Sequence, residues 1–236
     1  MNTLYHPHLD PSKTICNDLP DTERKHLRSL RANAGEQYRI VDGNGTAVVG
    51  CLKQFDRDSC IIDHLEPAPS YEPESERILV LGKLAQPKLD AVVESLTPLG
   101  LSKLLIIETE YTQPFTIRTD RLSKIAETAM KQCRRSKLPQ IINGERGSGL
   151  KWTECIAFLE YLSGEYSRLV ADQSGKPIHT LPKSTTNNNI IAIGPEGGFT
   201  ANETKQLLTL HFIPVTLGDR ILRAELASIV TFANLL

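Results

Sequence analysis

No apolar run in this chain of 236 residues approaches the roughly 20 residues that a membrane-spanning helix needs; Ile78–Leu81 and Leu104–Ile107 are among its longest. A secretory signal is missing too, because Met1–Asp10 holds His6, Pro7 and His8 where an apolar core would have to begin. The expected compartment is the cytoplasm, with no membrane partner. Cysteine is present as Cys16, Cys51, Cys60, Cys133 and Cys155, an odd number without CxxC spacing or a nearby histidine pair. Neither a zinc site nor a disulfide framework is expected, and no metal enters the reading. Charge of one sign is also lacking: 27 Lys and Arg stand against 28 Asp and Glu, a formal net charge of -1. Any nucleic-acid binding must therefore come from local basic clusters. There is no internal repeat, and the only polar tract is Ser184–Asn189.

What is present is the composition of a globular protein, with 40% hydrophobic and 23% charged residues, which excludes a largely disordered chain. The stretch Glu66–Glu76 carries Pro67, Pro69 and Pro73 among acidic and small residues and cannot hold a regular helix. We place a domain boundary there, giving domains 1–70 and 71–236. The first reads as a small β-rich barrel, with strands over Tyr38–Asp42, Ala47–Leu52 and Cys60–Leu65 and the Gly43-Asn44-Gly45 turn of a hairpin. In the second, Ile78–Leu81, Leu104–Ile107, Leu169–Ala171, Ile190–Ile193 and Phe212–Leu217 read as buried strands alternating with helices. That alternation predicts an α/β fold with a parallel sheet. A helix is predicted over Arg121–Lys137, capped by Asp120, and another after the T-x-x-E capping box of Thr200 and Glu203. Leu222–Leu236 is predicted as the terminal helix.

Two strand-to-helix turns carry the chemistry. The first runs Ile193-Gly194-Pro195-Glu196-Gly197-Gly198-Phe199-Thr200, from a buried strand through a glycine-dense loop into a capped helix. Glycines leave no side chain between the main chain and a ligand, and loops at strand C-termini of α/β sheets are favoured ligand sites. It is no phosphate loop, lacking both GxGxxG and a Walker lysine. The second runs Leu217-Gly218-Asp219-Arg220-Ile221-Leu222-Arg223-Ala224-Glu225-Leu226 into the last helix. Each residue alone also fits a tight turn or a surface charge.

The order GPEGGFTxxE followed by LGDRILRAEL resembles the SPOUT superfamily, and within it the small-subunit (16S) ribosomal RNA uridine N3-methyltransferase family called RsmE. The similarity extends upstream through Ala129, Gln132, Cys133, Arg135 and Pro139, and into His26–Arg31 and Asp42-Gly43. It implies a SPOUT-type parallel sheet with a C-terminal trefoil knot, an N-terminal PUA-like RNA-binding barrel, and a homodimer. It also implies S-adenosylmethionine bound by Ile193, Gly194, Pro195, Glu196, Gly197, Gly198, Leu217, Gly218, Ile221, Leu222 and Arg223. The chain departs from the family pattern at Ser95, Pro98, Tyr111, where a family arginine would stand, and Leu226, where a threonine is usual.

On this resemblance the expected reaction is methyl transfer to N3 of a uridine in small-subunit ribosomal RNA, with Arg223 positioning the base or stabilising its anion and Glu225 accepting the proton. A SPOUT enzyme with another target nucleotide or atom, and a catalytically weakened RNA-binding homologue, share the same loops. Arg24, Arg28 and Arg31 fall on one face of a helix whose Leu27 and Leu30 turn inward, and that face can track phosphates. A second basic cluster, Lys131, Arg134, Arg135 and Lys137, belongs to the last turns of the predicted Arg121–Lys137 helix, and Arg134 and Arg135 are its candidate RNA contacts.

Overall fold

The computed structural model describes residues 1–57, 59–163, 165–181 and 188–235. Most of the polar Ser184–Asn189 tract and the final Leu236 lie outside the described residues. The chain divides into two compact units, one made of Met1–Glu72 with Glu127–Leu138 and one of Pro73–Ala126 with Pro139–Leu236. Glu127–Leu138 thus joins the first unit although it follows Glu72 by a long stretch, which no linear boundary can express.

The first unit is a mixed sheet of five strands: β1 Asn2–Tyr5, β2 Ile15–Cys16, β3 Gln37–Val41, β4 Ala47–Phe55 and β5 Cys60–Pro67, in the order β1-β3-β4-β5-β2. β1 runs parallel to β3, and the other neighbours are antiparallel. The β3–β4 turn forms where the sequence places Gly43 and Gly45: Gly43 sits at φ 79, and the Asp42 carboxylate accepts from Asn44 N at 2.8 Å and Thr46 N at 2.9 Å. Inward positions alternate along β4, and Leu4, Leu27, Tyr38, Ile40, Leu52 and Ile62 form the core. Helix α1, Asp21–Ser29, buries Leu27 but not Leu30, which is 39% exposed. Arg31 lies beyond the helix end with φ 53. It therefore does not share a helical face with Arg24 and Arg28.

The second unit is a six-stranded, all-parallel sheet. Its strands are β6 Arg77–Gly82, β7 Lys103–Ile107, β8 Gln140–Ile142, β9 Ser167–Pro177, β10 Asn189–Ile193 and β11 Ile213–Thr216, in the order β11-β9-β10-β6-β7-β8. Central β6 and β10 are buried along their whole length, as strands covered on both faces must be. Helices α2 Gln86–Leu96, α4 Trp152–Tyr161, α5 Ala201–Thr209 and α6 Ala224–Ala233 complete it. Ile78, Val80, Leu105, Ile107, Ile190 and Ala192 from the sheet meet Cys155, Leu159, Leu207 and Phe212 in one core. Buried Arg77 donates to Leu99 O at 2.7 Å and Leu235 O at 2.9 Å, fastening the end of the chain to the start of β6. No helix among the described residues is long and apolar enough to cross a membrane.

Helix α3, Thr119–Gln132, corrects the predicted Arg121–Lys137 helix at both ends. Asp120 lies inside the first turn and is not the cap. The helix stops at Gln132, and Arg134 takes φ 65. The cause is Glu72. Its carboxylate accepts from Ser136 N at 2.6 Å, Lys137 N at 2.9 Å and Arg135 Nε at 2.9 Å, holding these residues in a turn that continued helix would forbid. Arg135 is 4% exposed, so Glu72→Ala removes the carboxylate paired with a buried charge and the acceptor of two backbone donors. Removing one partner of a buried ion pair costs about 3–5 kcal/mol. Denaturant unfolding of Glu72→Ala should show a loss of that size, and a loss of a few tenths would mean that water replaces the carboxylate freely.

Candidate functional site

The carboxyl ends of β10 and β11 and the middle of β9 surround a cavity of about 520 Å³. Every residue of the two glycine-bearing turns assigned to a ligand lines it: Ile193–Gly198 from the first, and Leu217, Gly218 and Ile221–Arg223 from the second. Ala171, Asp172 and Gln173 form a further wall. Sequence reasoning stopped β9 at Ala171 and assigned none of these three residues to the site. The signal available was the run Leu169–Ala171 itself, since the residues that follow where pairing with β10 stops at Val170 lie at the same edge of the sheet.

Main-chain proximity shapes the first turn. A Cβ on Gly82, the last residue of β6, would overlap Pro195 N, and one on Gly194 would lie 2.7 Å from Gly198 C. The backbones pass where no side chain fits, so the loop is pressed against the sheet edge. Thr200 then starts α5 with its hydroxyl accepting from Glu203 N at 3.2 Å, while Glu203 Oε2 accepts from Thr200 N at 2.8 Å, the predicted capping box. The other oxygen of this buried carboxylate accepts from Glu110 N at 2.9 Å. That bond holds the loop bearing Tyr111, and a Cβ on Gly197 would meet Tyr111 Cβ at 2.9 Å. Tyr111 packs directly on the glycine-dense turn.

The cavity carries charges of both signs. Arg220 and Arg223 are exposed at its wall, and the Arg223 side chain makes no capping bond to α6. Of the carboxylates, Asp172 accepts from Ser174 N at 2.8 Å and Ser174 Oγ at 2.6 Å. Glu196 is bound by Lys88 Nζ at 2.5 Å. Burial is the largest influence on Glu196 and raises its pKa, but the bond from Lys88, a backbone hydrogen bond and the Lys88 charge together hold the group below its ordinary value. Glu225 sits in the first turn of α6, outside the lining, and its Oε2 is buried with no hydrogen-bond partner among the described residues. Ile221 at 84% and Leu226 at 46% exposure leave apolar surface beside the arginines.

In the first unit, Arg24 and Arg28 converge, donating to Arg57 O at 3.0 and 3.2 Å, so exposed Arg57 joins them. The second basic cluster is split. Lys131 is committed to Glu23 at 2.5 Å and Glu127 at 3.1 Å, and Arg135 to Glu72. Arg134 and Lys137 are exposed. Buried, paired Arg135 is thereby a structural residue in place of the expected RNA contact. His6, Cys16 and Asp18, distant from any motif, place ligand-type atoms within 4.8 Å of one another. Their hydrogen bonds account for this: His8 N donates to His6 Nδ1 at 3.2 Å, leaving Nε2–H for Asp18 at 3.0 Å, and burial pushes the Cys16 thiol up to about 11.

Comparison with known proteins bears on this geometry. The model of the RNA methyltransferase domain family matches residues 72–236. The chain is 31% identical over 214 residues to ribosomal RNA small subunit methyltransferase E of Bacillus subtilis, covering 84% of this chain and 80% of the relative. It is 26% identical over 211 residues to the protein of that name from Rickettsia conorii, covering 87% and 82%. Among solved structures, a probable rRNA-methyltransferase from Porphyromonas gingivalis superposes with a TM-score of 0.81 at 27% identity, covering 99% of this chain and 96% of that one. The Neisseria gonorrhoeae ribosomal RNA small subunit methyltransferase E, solved bound to S-adenosyl methionine, superposes with a TM-score of 0.82 at 22% identity, covering 99% and 95%.

The same edge of the sheet holds a buried Lys83 that donates to Glu108 Oε1 at 2.8 Å. That bond is the largest influence on Glu108 and, against burial, keeps its carboxyl below the ordinary value of 4.5. A depressed carboxyl contributes stability that is complete above its unfolded value and is lost as pH falls through the folded one. Stability measured from pH 6 downward should therefore fall less steeply below about 4.5 in Lys83→Met than in the wild type. Identical acid limbs would show that the pair is not coupled in solution.

Proposed function

The chain belongs to the ribosomal RNA small subunit methyltransferase E family of RNA methyltransferases, and on that premise we propose that it transfers the methyl group of S-adenosylmethionine to N3 of a uridine in small-subunit ribosomal RNA. The observation that carries this reading is the cavity at the carboxyl ends of β10 and β11 and beside the middle of β9, which gathers both glycine-bearing turns. Its residues fit the donor: the volume suits a nucleoside with an amino-acid arm, and backbone amides on turns where no Cβ fits can approach it closely. Asp172 and Glu196 put carboxylates at the cavity wall, a chemistry suited to a positively charged donor. When bound, the donor supplies an electrophilic methyl group.

Uracil N3 carries a proton at neutral pH and lies on the Watson–Crick edge, so the base must be unpaired to react. In this reading Arg223, free of any cap and at the cavity wall, meets the uracil oxygen on which charge develops. Glu225, with an unpartnered carboxylate oxygen in the first turn of α6, takes the N3 proton. The first unit holds the RNA through Arg24 and Arg28 with Arg57, the part a PUA-like domain would play. A C-terminal trefoil knot belongs to the same reading, supported by β10 lying between β9 and β6 and by the tight passage of Gly82 against Pro195. A cytoplasmic location belongs to the same proposal.

The test is methyl transfer to small-subunit ribosomal RNA, with the product nucleoside identified after digestion. The expected product is N3-methyluridine. Arg223→Ala should keep donor affinity within a few fold and cut turnover roughly a hundredfold to a thousandfold. Gly197→Val, which drives a side chain into Tyr111, should abolish donor binding by calorimetry in a protein that stays folded. Methyl on a ribose or on another base would move the chain to another reaction, and normal turnover in Arg223→Ala would remove that residue from the chemistry.

A homodimer is part of the proposal, since exposed Ile221 and Leu226 flank the cavity and need a partner surface. Sedimentation equilibrium at micromolar concentration should return twice the chain mass of 26.2 kDa. A single chain mass would contradict it.

A further inference from the structure

Arg39 is the least explained charge in the protein. It lies within β3, opposite Thr3 of β1 and Val49 of β4, and is 1% exposed. Its Nε, Nη1 and Nη2 have no hydrogen-bond partner among the described residues. A guanidinium carries five N–H donors, and buried charges are ordinarily paired and hydrogen-bonded. The Tyr71 ring lies over it, 5.1 Å from Cζ to the centroid. The carboxylate that acts on it, Glu72, is already taken up by Ser136 N, Lys137 N and Arg135. Burial, reinforced by the like charge of exposed Arg134, lowers the Arg39 pKa against the attraction of Tyr71 and Glu72. The site holds more positive charge than its own carboxylate neutralises.

We propose that Arg39, with Tyr71 and Arg134, forms a binding site for a phosphate of the RNA backbone. The proposal rests on the RNA substrate of the functional reading and adds Arg39, which neither basic cluster contains, to Arg134 of the second cluster. A phosphate oxyanion matches the planar fork of a guanidinium and satisfies several of its donors at once. Tyr71 covers the site in the free protein yet is itself 49% exposed. It sits in a segment with no helix or strand, pinned on one side by Ala68 N donating to Ala47 O and on the other by Glu72. In the proposed bound state the Tyr71 ring swings aside to admit the phosphate while those anchors stay in place. The displaced ring then offers an aromatic face for a neighbouring base, the pairing of cation and aromatic that single-stranded RNA sites use.

The experiment measures binding of a small-subunit ribosomal RNA transcript to the full-length protein across a salt series, in wild type and Arg39→Met. We expect affinity about tenfold weaker and a log–log salt slope shallower by about 0.7 to 0.9, the value of one phosphate contact. Donor affinity should not change, and the unfolding midpoint should hold or rise, because an unpaired buried charge has been removed. Wild-type affinity and slope in a folded Arg39→Met protein would overturn the site and leave Arg39 as a structural charge satisfied by water. Should that variant fail to fold, the wild type suffices: the Arg39 Nε–H resonance should shift on adding transcript. No shift with transcript, or a shift with inorganic phosphate alone, overturns the assignment to RNA. A wild-type protein that does not bind the transcript contradicts the functional reading itself, whereas binding with an Arg39-independent slope contradicts only this site.

Discussion

The second unit depends on one steric constraint: at the carboxyl edge of its parallel sheet, the end of β6 passes so close to the turn after β10 that Gly82 can carry no side chain, and the turn folds so tightly on itself that Gly194 can carry none either. Because the main chain itself forms the contact, the turn presents backbone groups to the cavity where side chains would otherwise stand. The remaining parts hold that turn in place. Glu203 closes the cap of α5 and, through Glu110 N, fixes the loop that brings Tyr111 against Gly197. Lys88 binds Glu196 from α2, and buried Lys83 with Glu108 braces the neighbouring strand ends. The site is a property of main-chain packing, with side chains supplying charge around its rim.

The first unit is organised by electrostatics of another kind. Glu72 serves as a cap for the turn after α3 and as the counter-ion of Arg135. That double use is why Arg135 is buried at little cost and why Arg39 is left with its donors unfilled. Arginines of similar appearance in the sequence thus have three fates: Arg24 and Arg28 converge on Arg57 O, Arg135 becomes structural, and Arg39 is held in reserve under Tyr71. Partner availability, and not residue type, decides among them.

Much of this was legible in the sequence because the relevant forces are local. Buried parallel strands announce themselves as short apolar runs, the Thr200–Glu203 box needs only four residues, and the two glycine-bearing turns are contiguous. What escaped is long-range. The end of α3 at Gln132 is dictated by a carboxylate at position 72, so helical spacing carried the prediction on to Lys137. Arg31 follows the pattern of Arg24 and Arg28 but lies past the end of α1, where the backbone turns to φ 53. Asp172 is invisible as a site residue because only the register of β9, whose pairing with β10 stops at Val170 and with β11 shifts just after it, brings its middle to the cavity. Glu225 shares a motif with Arg223, yet the geometry of the first turn of α6 keeps it out of the lining.

At the centre of this reading, the two glycine-bearing turns and Ala171–Gln173 of β9 together form the donor site. Hydrogen exchange of the protein with and without S-adenosylmethionine tests it most directly, since ordering of backbone amides is read segment by segment. The account predicts slowed exchange at Ala171–Gln173, Ile193–Gly198 and Leu217–Arg223, with the amides of β1 to β5 unchanged. Unaltered exchange in the 193–198 and 217–223 segments at a saturating concentration of the donor, or protection confined to the first unit, would contradict it.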